Sequence, residues 1–282
     1  MIRQIAEVFR GQKVIEGAGV HLRRVFGFYN PTRFDPFLLL DDFRSTNRQE
    51  YIKGFPWHPH RGIETITYVL QGDVEHGDSL GNMGVISTGD VQWMTAGSGI
   101  IHQEMPKGDE KGILQGFQLW ANLPADSKMM APRYRGITAA DIPRLTRTDG
   151  TRIRVIAGTV DGVTGPANDI IIDPHYLDCT IPPHTEFSHP THSGYTVLVY
   201  VIGGNGTVND TRVSDGDLVL FGDGRRVELC GGDEPLRFLF LSGKPIREPI
   251  AWRGPIVMNT EEELNQAFSE LQENTFIKHL AP

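Results

Sequence analysis

A chain of 282 residues is long enough for two modest domains or one large β domain with a full core. Glycine and proline are frequent, at 32 and 18 residues, and long helical patterns are scarce, which suits many short strands joined by tight turns. The 27 basic and 35 acidic residues leave a formal net charge of -8 without any long basic run, which argues against nucleic acid as a direct ligand.

Taken in order, Met1 to Glu7 lacks the apolar core of a signal peptide, and no apolar run approaches the ~20 residues that span a bilayer. A cytoplasmic protein without membrane contact is expected, with Cys179 and Cys230 as free thiols. Val20 to Val25 alternates like a half-buried strand, and Pro36 to Leu40 reads as a buried one. Strands are expected again over Thr65–Leu70, Val74–His76, Gly84–Ser87, Val91–Met94 and Gly116–Leu123, with glycine-rich turns between them. Residues 124–150 are richer in Pro, Lys, Arg and Asp and read as a connection, with the domain boundary placed at 1–130 and 131–282. Tyr195–Gly203 and Gly216–Phe221 then resemble Thr65–Gly72 and Gly89–Met94, so a whole β domain repeats. Near the end Asn259 or Thr260 can cap a helix that Glu263 closes as a capping box. Leu264, Ala267, Phe268 and Leu271 fall on one face of that helix, which should pack on a barrel, and Asn274 onward reads as a tail.

The chemistry is concentrated between Trp57 and Glu104. In extended backbone, residues two apart point to one side, so His58 and His60 present two imidazoles together, and His102 with Glu104 repeats that arrangement. Three imidazoles and a carboxylate suit a divalent first-row metal. His76 and Asp78 read as a hydrogen-bonded structural pair, and Arg61 as a residue at the rim or bridging to an acid. Gly97-Ser98-Gly99 is no phosphate loop, because neither a helix pattern nor a lysine follows.

His58-x-His60 with Glu64 and Gly72 resembles the first cupin motif, and Gly89-Asp90 through Gly97 to His102 the second. More narrowly, His58–Thr65, Gln92–Pro106, Asp35–Leu39, Gln118–Leu123 and Gly254–Thr260 resemble the pirin family, so the resemblance covers nearly the whole chain. It implies an all-β fold of two tandem cupin (jelly-roll) barrels with a short C-terminal helix. It further implies iron, as Fe(II), in the N-terminal barrel, with Mn, Ni, Cu or Zn as other divalent candidates. By resemblance the metal ligands are His58, His60, His102 and Glu104. Glu64 stands where many other cupins place a carboxylate ligand, and is assigned outside the ligand set, as a structural acid bonded to nearby backbone, as a group orienting a histidine, or in catalysis with Glu104. Phe55, Trp57, Met94 and Gln118 flank the motifs and are candidates to line a substrate pocket.

Carrying the first half's spacing onto the second aligns His58 with His189 and His60 with Thr191. Leu229 and Gly231 fall where His102 and Glu104 stand, so the C-terminal barrel is expected to be metal-free. Some pirins resemble quercetinases, which implies a metal-dependent dioxygenase that cleaves a flavonol-type ring with O2 and releases carbon monoxide. Others are regulators whose iron state alters binding to a transcription factor or metabolic enzyme. That alternative would add a protein partner, and a nuclear location if the source is eukaryotic.

Overall fold

The computed structural model describes residues 1–279. It divides into two compact units, one of Met1–Gly11 with Ala140–Pro245, the other of Gln12–Ala139 with the chain from Ile246 onward. We call these the C-terminal and N-terminal barrels. The division differs from the expected 1–130 and 131–282 at both ends of the chain. β1 (Ile5–Arg10) is an outer strand of the C-terminal barrel, paired antiparallel with Asp217–Phe221. The last segment belongs to the N-terminal barrel, where Ile256, Met258, Leu264, Ala267 and Phe276 bury together with Ile101 packed against them. Phe276 therefore anchors what reads in sequence as a tail.

The N-terminal barrel contains β2 (Gln12–Glu16), β3 (Val20–Phe26), β4 (Phe37–Asp42), β5 (Phe55–His60), β6 (Ile63–Gln71), β7 (Val74–Asp78), β8 (Met83–Ile86), β9 (Val91–Thr95), β10 (Ile100–Pro106), β11 (Gln115–Asn122) and β12 (Arg133–Ile137). They form a seven-stranded sheet ordered β12-β9-β6-β11-β4-β3-β2 and a four-stranded sheet ordered β5-β10-β7-β8. β4 lies inside its sheet between β11 and β3 and is buried along its whole length, its apolar run Phe37–Leu40 followed by the buried Asp41 and Asp42. β10 alternates strictly between buried and half-buried residues, which carries Ile100, His102, Glu104 and Pro106 to the inner side.

The C-terminal barrel repeats the plan with a seven-stranded and a four-stranded sheet. Its strand Thr196–Gly203 pairs with Asp217–Phe221 as β6 pairs with β9, in keeping with the repeat seen in sequence. Its interior is apolar, with Phe187, Val199, Val227, Leu229, Phe238 and Phe240 all buried. Each such side chain contributes about 1.5–3 kcal/mol on burial. Residues 124–150 carry more structure than expected, since Arg133–Ile137 and Arg144–Thr146 are strands in the two barrels.

The hairpin Ala251–Arg253/Ile256–Met258 leads into helix α1 (Glu261–Gln272). Thr260 caps the helix and Glu263 completes the capping box, as the sequence predicts. No helix among the described residues is long and apolar enough to cross a membrane.

Candidate metal centre

β5 and β10 run antiparallel with His102 directly opposite His58, so the two histidine-bearing segments meet as neighbours in one sheet. The rings of His58, His60 and His102 form a triangle with centroid separations of 4.8, 4.4 and 5.0 Å. One ligating atom from each lies within 4.8 Å of the others, the one such group of three among the described residues.

Hydrogen bonds fix which nitrogen His58 and His60 offer. His58 Nδ1 donates to the Pro56 carbonyl at 2.8 Å, and His60 Nδ1 to the Pro255 carbonyl at 3.0 Å. A neutral imidazole has one N–H, so both Nε2 atoms are bare lone pairs, and they stand only 3.1 Å apart. Two lone pairs cannot bond each other. His102 Nε2 is buried with no hydrogen-bond partner at all. An orphaned buried acceptor and two facing lone pairs are what a divalent cation satisfies.

Electrostatics agree. Burial lowers the pKa of His58, and it takes His60 to about 3, with neighbouring His58 pushing the same way. Burial also holds His102 well below the ordinary histidine value, with further depression from the other histidines. All three are therefore neutral at physiological pH, the state metal binding requires. The donors present fit a metal such as Fe(II), Mn, Ni, Cu or Zn.

Glu104 lies on the inner side of β10, two residues beyond His102, but its carboxylate stands outside the three-histidine group. Its Oε1 accepts from Thr67 Oγ1 at 2.7 Å, and burial raises its pKa. The expected grouping of four thus consists of three converging imidazoles and a nearby carboxylate held by a threonine.

Glu64 lies outside the three-histidine group, and its bonds are those of a structural acid. Its carboxylate accepts from Trp93 Nε1 at 3.1 Å and Thr95 Oγ1 at 2.6 Å, neither of them a histidine. The cause lies at Gly62, which bends the chain between β5 and β6 with φ at +79°, where an added Cβ would overlap the Val257 carbonyl. The two-residue alternation that joins His58 to His60 does not carry through that bend. On β6, Glu64 has the opposite parity to Thr67 and so faces away from Glu104.

His58 and His60 open onto a cavity of about 740 Å³. His58, His60 and Glu104 lie at its metal-binding end, with aromatic walls from Phe28, Phe55, Trp57, Trp120 and Trp252. Gln118 also lines it, so three of the four pocket residues read from sequence are in place. Met94 is not among the lining residues. It is fully buried with Leu38, Ile63, Ala96, Ile100 and Val257 and serves the core.

Sequence reading missed Trp120, which two-residue alternation from Gln118 could have found. It also missed Trp252 and Pro255, which reach the site from the far end of the chain without any motif to mark them.

One further expectation changes, and another holds in one of its two forms. His76 pairs with the Tyr134 hydroxyl at 2.7 Å rather than with Asp78. Asp78 instead caps a turn, accepting from Leu80 N, Asn82 N and Asn82 Nδ2. Arg61 is buried rather than at a rim, and bridges to Glu270 at 2.7 Å.

The Pirin family model matches residues 19–121 and the Pirin C-terminal cupin domain model matches residues 176–277. A pirin-like protein of Caulobacter vibrioides is 41% identical over 276 residues, spanning 98% of this chain and 99% of that protein. A solved structure described as quercetin 2,3-dioxygenase from Acinetobacter baumannii is 34% identical, covers 98% of this chain and 99% of its own, and superposes with a TM-score of 0.89. A bacterial pirin from Escherichia coli in complex with nickel(II) shares the fold at 22% identity and a TM-score of 0.65, covering 85% of this chain and 98% of its own. With both of its cupin barrels matched and a relative aligned along nearly its whole length, this chain belongs to the pirin family.

Proposed function

We propose that the protein is a metal-dependent dioxygenase, with iron as the expected metal, that opens the ring of flavonol-type substrates with O2 and releases carbon monoxide. The observation that carries this reading is the cluster of three converging imidazoles, two of which, His58 and His60, line a large aromatic-walled cavity. The Acinetobacter baumannii neighbour described as a quercetin 2,3-dioxygenase supports the reaction class, and the nickel-bound Escherichia coli pirin supports a divalent metal in this fold.

His58, His60 and His102 would hold the metal through Nε2. When bound, it supplies Lewis-acid and redox chemistry at the substrate's hydroxyl end. Glu104 then accepts the proton of the substrate's 3-hydroxyl, and Thr67 holds that carboxylate in place through its 2.7 Å bond. Trp120, which meets His60 edge-on at 5.0 Å between ring centroids, and Trp57 flank a planar ligand.

Reconstitution with Fe(II) under anaerobic conditions should give O2 uptake and carbon monoxide release with flavonols. His58→Ala and His102→Ala should lose turnover together with bound metal. Full turnover in thoroughly demetallated protein contradicts the proposal.

A further inference from the structure

The inner face of the larger N-terminal sheet carries a line of polar residues in direct cross-strand register. Gln92 on β9 lies opposite Thr67 on β6, and Thr67 opposite Gln118 on β11. Gln118 in turn lies opposite Asp41 on β4, and Asp41 opposite Arg24 on β3. Residues directly opposite in a sheet share a face, so five adjacent strands contribute one polar row. The next row along the strands is Met94, Thr65, Trp120 and Leu39, which is largely apolar. Arg24, Asp41, Gln118 and Glu16 all line the cavity that ends at the histidines.

The row is bonded within itself. Arg24 Nε and Nη2 donate to the two Asp41 oxygens at 2.9 and 2.8 Å, and Nη1 donates to Glu16 at 2.7 Å. Thr67 Oγ1 stands 2.7 Å from Glu104 Oε1 and 2.8 Å from Gln118 Oε1. One hydroxyl proton serves one acceptor, and the carboxylate is the stronger. The Gln118 amide turned end for end then presents N–H to Thr67 and leaves its oxygen as a further acceptor. Two carboxylates face a single guanidinium, so the group of Glu16, Arg24 and Asp41 carries a net negative charge. Each Asp41 oxygen keeps a second lone pair. The surplus on this wall is in acceptors.

A purely structural ion pair here could be replaced by apolar side chains at little or no loss of stability. Burial raises the Asp41 pKa to about 6 even against the opposing effect of Arg24. Three strand spacings separate Thr67 from Arg24, about 14 Å, comparable with the reach of a three-ring planar ligand.

We propose that Glu16, Asp41 and Gln118 accept hydrogen bonds from phenolic hydroxyls remote from the reacting end. The cavity therefore selects neutral, polyhydroxylated aromatics over bare or carboxylated ones. Arg24 is a positioning residue that fixes both carboxylates. This deepens the dioxygenase reading and rests on it for the orientation of the ligand.

The test is anaerobic calorimetric titration of nickel-loaded protein with quercetin, with 3-hydroxyflavone, which lacks the remote hydroxyls, and with 3-hydroxyflavone bearing a 4′-carboxylate. Wild type should bind quercetin at least tenfold more tightly than 3-hydroxyflavone, and the carboxylated ligand most weakly. In Glu16→Gln and Asp41→Asn the quercetin preference should fall severalfold, and the carboxylated ligand should gain. The Glu16 side chain is 40% exposed, so its exchange spares the fold, while thermal melting checks Asp41→Asn. Equal affinities in wild type, absence of binding, or an unchanged ratio in both variants overturns the proposal. Selective binding without O2 uptake by Fe(II) protein contradicts the dioxygenase reading alone. Turnover without selectivity contradicts the row alone.

Discussion

His58 and His60 each donate Nδ1–H to a backbone carbonyl, so both rings are locked into the tautomer that bares Nε2. That pre-organisation makes the site specific in its failures. Glu64, although buried and close in sequence, bonds Trp93 and Thr95 instead. Glu64→Gln should therefore leave metal content at the wild-type level. It should lower stability by about 1–3 kcal/mol through weakened buried hydrogen bonds, read by urea denaturation.

Lys128 is a different buried charge. Its Nζ donates to Gly62 O, Asn122 Oδ1 and Val257 O, while burial takes its pKa to about 7. A base whose folded pKa lies below its unfolded value is more protonated in the unfolded chain between the two. Stability should therefore rise as pH increases from about 7 towards the ordinary lysine value of 10.5. Thermal melting across that window should show the rise in wild type and a flatter profile in Lys128→Met. Parallel profiles would contradict the assignment.

At the scale of elements, the C-terminal segment ties itself to the strand that carries His58 and His60. Val257 N donates to Arg61 O at 3.1 Å, and Pro255 supplies the carbonyl that orients His60. Arg61 donates to Ser98 O, to Glu270 on α1 and to Phe276 O, with its guanidinium 4.2 Å from the Phe276 ring centroid. Arg61→Met should cost about 1–3 kcal/mol for each of the two buried carbonyls it leaves without a donor, while Glu270 keeps Lys278 and Gln266. It should also weaken metal affinity, because the hairpin that holds His60 loses its anchor, and a metal titration beside urea denaturation checks both. The two-residue alternations within β5 and β10 are legible in sequence because each lies inside one strand. The parity of Glu64 is not, since the bend at Gly62 resets it. The polar row from Gln92 to Arg24 is equally hidden, because cross-strand register joins residues far apart in the chain and depends on bulges such as that between Arg24 and Phe26.

Across the whole molecule, the all-β class and the repeated barrel were readable from turn-limited strands and from the likeness of 195–221 to 65–94. What sequence order concealed is the exchange of chain ends, with β1 in the C-terminal barrel and α1 in the N-terminal one. Outer strands and packed helices are placed by long-range burial, which local pattern does not encode. In the C-terminal barrel, Phe187, Val227 and Leu229 pack the strand pair that corresponds to β5 and β10, beside the single buried His189. The N-terminal barrel instead turns three neutral imidazoles toward one point.

Elemental analysis of anaerobically purified wild type beside His102→Ala tests that contrast most directly. The structure predicts about one first-row metal per chain in wild type and less than a tenth of that in the variant. Equal metal content in the two proteins would contradict it.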